Sequence, residues 1–480
     1  MRIYREYCPD QSFVLPPSLR DWLPEDHTAL LVSDLVDELD LSDFHAAYEN
    51  RYGKGRPPYH PVMMAKLLVY AYVIGEPSSR RIEKATYTDV AFRVLAANQH
   101  PDHDSIAEFR KRHLEAFSNL FKQVLKICEE AGLVKLGHVS VDGTKVKANA
   151  SKHKAMSYER MCQTEKKLEK QIQELLKKAE DADAQEDQEH GKGKSGIDIP
   201  AELARRESRL GVIRGAKAAL EEEAREKARD KAKEAQAKIE ERERKEQETG
   251  KKVGGSKPKV PDPEQAVPDP KAQRNFTDPE SRIMKDGASK SFEQAYNAQA
   301  VVDAHSQIIV AASVTQEAND KRQMVPMLQQ VERNTGRKPK TATLDNGYFS
   351  EEALKDASLE GIDLYVAVGR EKRQEEVEAA EGTVEVAEEA TPGTAEVEGA
   401  SPKPATLKEK MKEKLQSAEG KVIYALRKTI VEPVFGQIKG ARGLRRFSLR
   451  GIESVGWEWD LICTTHNILK LFRSGQWKKA

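Results

Sequence analysis

The sequence predicts a multidomain α+β/α protein: a helical N-terminal domain, then an α/β core interrupted by a long helical insertion and an acidic linker. Three observations predict it. Apolar residues recur at helical spacing over residues 57–130. Two short β-like runs, Val139–Val141 and Thr341–Leu344, each end on an aspartate, and an alternating pattern over 295–314 lies between them. The long stretches separating these runs are poor in apolar residues. With 33% charged and 38% hydrophobic residues overall, much of the 480-residue chain is solvated helix or linker.

The elements follow in order. Residues 1–56 form an N-terminal lead with one helical stretch marked by Leu30, Leu31, Leu35 and Leu39. In 57–130, Pro61 opens a helix through Leu67, Leu68 and Tyr72. The run Gly75 to Ser79 breaks it, and a second helix begins at Ser79. Asp104-Ser105 is expected to cap a third helix running from Ile106 through Phe121. Such a bundle of short helices is compatible with helix-turn-helix binding of DNA. Residues 131–156 open the core. Residues 157–250 are rich in Lys, Glu and Ala, with Met161, Leu168, Ile172 and Leu175, then Leu203, Leu210, Ile213 and Leu220, near heptad spacing. They predict an antiparallel coiled-coil hairpin that turns at Gly191 to Gly196 and frays beyond Leu220. A Pro/Lys/Gly-rich linker covers 251–275 and the core resumes over 276–370. An acidic, disordered linker fills 371–405, and a basic helical part closes the core over 406–480.

Composition excludes several classes. No apolar run is long enough to span a bilayer and no signal-peptide core is present, so a cytoplasmic protein without membrane contact is expected. Cys8, Cys128, Cys162 and Cys463 are far apart and form no CxxC pair, which argues against a zinc ribbon or a disulfide framework. His100, His103 and His113 have no cysteine near enough to complete a zinc site. Trp457 and Trp459 read as core. Equal numbers of basic and acidic residues (79 each) hide an asymmetry. Residues 374–400 carry nine Glu and no Lys or Arg, whereas 401–480 carry 17 Lys and Arg against seven Asp and Glu. A phosphate backbone would feel that basic region locally.

Once the insertion and the acidic linker are set aside, three acids remain in order: Asp142 at a strand end, Asp345 at a second strand end, and Glu432 on a later helix. Their contexts are VDGTKVKANAS, LDNGYFS and VEPVFGQIKGARGLRRFSLRG. With TDPESRIMK (277–285), YNAQAVVD (296–303) and the helical region 53–113, the chain resembles the insertion-sequence DDE transposases whose third acid sits in a Tyr-Arg-Glu-Lys signature. Lys439 fits that signature, seven residues after Glu432. The position of its Arg, four before Glu432, holds Lys428, with Arg427 one earlier; Tyr424 stands eight before. Either Lys428 takes the Arg's place or the helix register slips locally.

The resemblance implies an RNase H-like core in which Asp142, Asp345 and Glu432 bind two Mg2+ ions, for which Mn2+ substitutes. It implies cleavage of double-stranded DNA at terminal inverted repeats, strand transfer into target DNA, and a homodimer in a synaptic complex, acting at the nucleoid. Tyr424, Arg427, Lys428, Lys439, Arg442, Arg445 and Arg446 are expected at the DNA, as are Arg80, Arg81, Arg110 and Arg112 in the helical domain. The alternative is a catalytically inactive transposase derivative that binds DNA and regulates.

Overall fold

The computed structural model describes residues 18–48, 57–189, 199–249, 256–287, 290–369 and 406–477. The acidic linker over 371–405, the turn at Gly191 to Gly196 and Cys8 lie outside the described residues. Two units are formed, one from 1–146, 297–449 and 453–480, the other from 147–296 and 450–452.

In the first unit the N-terminal helices are α1 (Thr28–Glu38), α2 (Ser42–Ala46), α3 (Pro61–Val73), α4 (Ser79–Thr88), α5 (Val90–Leu95), α6 (His103–Arg112) and α7 (Leu114–Glu130). Proline opens α3 at its first turn, where the missing N–H costs nothing. This helix is apolar on almost every side because α1, α5 and α6 all pack on it. Two expectations are corrected. The cap of α6 is Asp102, whose carboxylate accepts from Ser105 N at 2.7 Å, so the helix begins at His103. It also stops at His113, whose backbone leaves helical geometry, and Phe117 and Phe121 belong to α7.

The strands are β1 (His138–Lys147), β2 (Ala155–Ser157), β3 (Gln273–Asn275), β4 (Arg282–Lys285), β5 (Phe292–Asp303), β6 (Ile309–Thr315), β7 (Thr341–Leu344) and β8 (Asp363–Val366). In the first unit β6 pairs antiparallel with β5, β5 neighbours β1, and β1, β7 and β8 run parallel. Helix α10 (Met324–Thr335) packs on β6. From Tyr296 onward every residue of β5 is buried, including Asn297 and Gln299, so the alternation expected at 295–314 is absent from that strand. Helix α15 (Ile452–Ser474) contributes to this: the fully buried Trp459 donates its indole N–H to Gln299 O at 2.9 Å.

In the second unit the insertion forms α8 (Tyr158–Glu189) and α9 (Ile199–Thr249), packed through Met161, Leu168, Leu210, Ile213 and Leu220. Tyr158 bonds Glu221, while Glu165 and Glu169 pair with Arg214; the partner order falls as the first rises, so the helices are antiparallel. Contrary to expectation α9 continues past Leu220 to Thr249, burying small side chains at Ala228, Ala232 and Ala235. β2 pairs with β3, and β4 pairs with the first residues of β5. Among the described residues no helix is long and apolar enough to cross a membrane.

Candidate active site

Register positions the first two acids. Val141 of β1 pairs with Leu344 of β7, and both strands run in the same direction. Asp142 and Asp345, one residue further on, therefore project from neighbouring parallel chain segments at the same level; the expectation that the first strand ends on Asp142 is corrected, because β1 runs on to Lys147 and Asp142 lies within it. Asp345 does not continue its strand. It caps a short 3-10 turn, accepting from Gly347 N at 2.8 Å. Asp142 similarly accepts from Gly143 N at 2.8 Å.

The remaining residues arrive from the C-terminal part of the first unit through α11 (Leu407–Gln416), α12 (Ala418–Ala425), α13 (Arg427–Ile430) and α14 (Glu432–Gly436). What the sequence suggests as one helix around Glu432 is broken at Leu426 and Val431, and a π-helical turn follows at Gln437–Ala441. This interruption shifts which side chains face the two aspartates. Arg427, not Lys428, turns inward: its Nη1 donates to Asp142 Oδ2 at 3.1 Å, and its Nη2 stands 3.8 Å from Glu432 Oε1. Lys428 is exposed. Tyr424 is half-buried beside Arg427. Lys439 Nζ donates to Thr144 Oγ1 at 3.0 Å and Lys145 O at 2.9 Å, tying the π-helical turn to β1 just past Asp142.

Electrostatics mark the same spot. Burial pushes the Asp142 carboxyl up to about 6; Arg427 opposes this, and the charges of Asp345 and Asp320 add to it. Burial also raises Asp345, against the Gly347 N–H and Arg427, with Asp320 reinforcing the shift. Burial lowers Lys145, while the three aspartates pull the other way. Like charges crowded into a partly dry site are a functional signature.

Asp320 is the residue that sequence reasoning missed. It lies in the loop between β6 and α10, and accepts at Oδ1 from Asn297 Nδ2 and Gln299 Nε2, each at 2.6 Å. Lys145 Nζ is 3.9 Å from the same oxygen. Tyr348, fully buried, donates its hydroxyl to Gln299 Oε1. Space here is tight: a Cβ on Gly143 would stand 2.3 Å from Gln299 Nε2 and 2.8 Å from Asp320 Oδ1, so a larger residue after Asp142 would displace the side chains that hold Asp320.

Two of the arginines expected at DNA are corrected. Arg110 is buried and donates to Pro77 O at 2.7 Å and Tyr72 Oη at 3.2 Å. Arg442 is buried and donates to Thr465 Oγ1 at 2.8 Å and Ile462 O at 3.2 Å. Both guanidiniums are buried and donate to internal acceptors through their terminal nitrogens, which sets them away from a phosphate. Arg445 and Arg446 are exposed, though Arg445 Nε also bonds Lys439 O. Arg80, Arg81 and Arg112 are exposed too, with Arg81 paired to Glu76 and Arg112 to Glu108. Asp278, in TDPESRIMK, serves the second unit, where Tyr296 Oη donates to it at 2.8 Å.

The donor set suits a hard divalent cation: carboxylates, no thiolate and no imidazole. Among the described residues no three acidic, His or Cys side chains stand close enough to hold a metal as they are. Arg427 instead bridges Asp142 and Glu432.

Two families match the chain: a Transposase domain (DUF772) over residues 17–112 and a Transposase DDE domain over residues 263–468. Together they cover more than half of the sequence. The second includes Asp345 and Glu432, whereas Asp142 lies in neither. No curated protein and no solved structure matches.

Proposed function

We propose that this chain, which belongs to the insertion-sequence DDE transposases, cuts double-stranded DNA at terminal inverted repeats and joins the freed end to target DNA. Asp142, Asp345 and Glu432 are the acids of that reaction. The observation that carries the reading is the register of β1 and β7, with Asp142 within β1 and Asp345 just past β7 side by side and Arg427 linking Asp142 to Glu432. The strand order β6-β5-β1-β7-β8, antiparallel and then parallel, supports an RNase H-like core. The antiparallel α8–α9 pair supports reading the insertion as a coiled coil.

Two Mg2+ ions, or Mn2+ in their place, would activate the attacking oxygen and stabilise the leaving one. The protein's own part is positioning and charge. Asp142, as a carboxylate, would exchange its ion pair with Arg427 for a place among the residues that hold the metal. Arg427, released, is left with its charge beside the reacting phosphate. Lys439 fixes the end of β1, and thus Asp142. Arg445 and Arg446, exposed on the following loop, contact phosphates of the terminal DNA. Joining two ends in one synaptic complex calls for a homodimer, working at the cytoplasmic nucleoid.

The test is Mg2+- or Mn2+-dependent cleavage of the element's end DNA by wild type beside Asp345→Ala. Wild type alone should cut, with DNA binding equal in the two. Intact DNA binding without cutting by either would favour the inactive, regulatory derivative. Equal cutting by both would place the chemistry elsewhere.

A further inference from the structure

We infer that Asp320 is a fourth acid of this site, offering its Oδ2 to the divalent cation alongside Asp142 and Asp345; the inference rests on the metal-carboxylate reading above. The hydrogen bonds and the ion pair of the Asp320 side chain fall on Oδ1: Asn297 and Gln299 at 2.6 Å, and Lys145 at 3.9 Å. Its other oxygen is turned toward the acids. Oδ2 lies 3.4 Å from where a Cβ on Gly347 would stand, and Asp345 Oδ1 lies 3.0 Å from that same point. On the opposite side, Asp320 Oδ1 lies 2.8 Å from where a Cβ on Gly143 would stand. Asp320 thus sits near both Gly143 and Gly347, which follow Asp142 and Asp345, and its charge is felt at both aspartates.

A second observation points to a ligand. Asn297 is completely buried, and its Oδ1 has no hydrogen-bond partner. That oxygen lies 3.0 Å from the Gly143 Cβ position, beside Asp320 Oδ1, which lies 2.8 Å from the same point. Flipping the amide does not help. Its Nδ2 already donates to Asp320 Oδ1 and to Glu317 O at 3.1 Å, and the flipped form would set oxygen against both. A buried acceptor without a donor is costly. A cation beside Asp320 would satisfy it, because hard divalent ions take amide oxygens as well as carboxylates. Asn297, Gln299 and Lys145 are then the support that keeps Asp320 aimed.

The experiment is a titration of the full chain with Mn2+ alone, read by electron paramagnetic resonance of the free ion, for wild type, Asp142→Asn, Asp320→Asn and Asp320→Glu, with a thermal melt of each. Asp320→Asn should weaken Mn2+ binding about tenfold. Asp320→Glu, which keeps the carboxylate, should recover most of that loss with a melt like that of Asp320→Asn. Wild-type affinity in Asp320→Asn, with Asp142→Asn weakened, overturns the role of Asp320 and leaves the acid site standing. Equal weakening in the Asn and Glu variants also overturns it, since a purely packing role would give that result. Loss of Mn2+ binding by no variant, or its absence in wild type, overturns the acid site and this inference together.

Discussion

At the scale of single residues, the proposed reaction sets a proton, Arg427 and a cation in competition for Asp142. Burial raises its carboxyl from the ordinary 3.8 to about 6, and Arg427 opposes that rise. The sign follows from linkage. Between about pH 4 and 6 the folded protein holds a proton that the unfolded chain has released, so this group stabilises the fold at low pH and loses that contribution as pH rises through 6. A cation must displace the same proton. Mn2+ affinity should therefore rise about tenfold per pH unit below pH 6 and level off above it. Arg427→Gln removes the charge that favours the carboxylate, so the midpoint should move to higher pH. A flat Mn2+ affinity between pH 5 and 7 in wild type would refute the link between Asp142 and the ion.

At the scale of elements the basic residues separate by burial, which charge counting along the sequence did not reveal. Arg110 and Arg442 are structural: one ties α6 to α3 through Tyr72, the other ties the loop after α14 to α15. Tyr72 also donates to the buried Glu458 of α15 at 2.8 Å, so helical domain and core share one polar network. Arg110→Ala strands those acceptors and should cost about 3 kcal/mol in a denaturant melt without altering the salt slope of DNA binding. Arg445→Ala with Arg446→Ala should do the opposite, leaving the melt alone and reducing the slope by about two. The reverse pattern would return Arg110 to the DNA interface. The two aspartates were legible because an acid directly after a β-like apolar run is a local pattern, although only β7 stops there and β1 runs on past Asp142 to Lys147. The positions of Arg427 and Asp320 were not. Arg427 depends on the helix breaks at Leu426 and Val431; Pro433 marks the second, but the first carries no local signature. Asp320 sits in an irregular loop whose partners, Asn297 and Gln299, lie on a strand buried on both faces. A polar pair in such a strand is the one sequence signal that could have pointed to it.

At the scale of the whole molecule, charge is balanced in sum but not in place. The chain has 79 basic and 79 acidic residues, yet nine Glu and no basic residue fall in 374–400, directly ahead of the region with 17 Lys and Arg. Glutamates tethered beside a basic surface compete with phosphates for it at high local concentration. Deleting 374–400 should therefore tighten DNA binding, by about tenfold at low salt, with the gain shrinking as salt screens both interactions. Replacing the nine Glu with Gln separates charge from spacing. If competition is electrostatic, the Gln variant matches the deletion and both converge on wild type at high salt. If the Gln variant binds like wild type while the deletion binds tighter, chain length rather than charge sets the effect. Unchanged binding in both would mean that the acidic block and the DNA never compete, and the basic surface would then have to be sought away from residues 401–480.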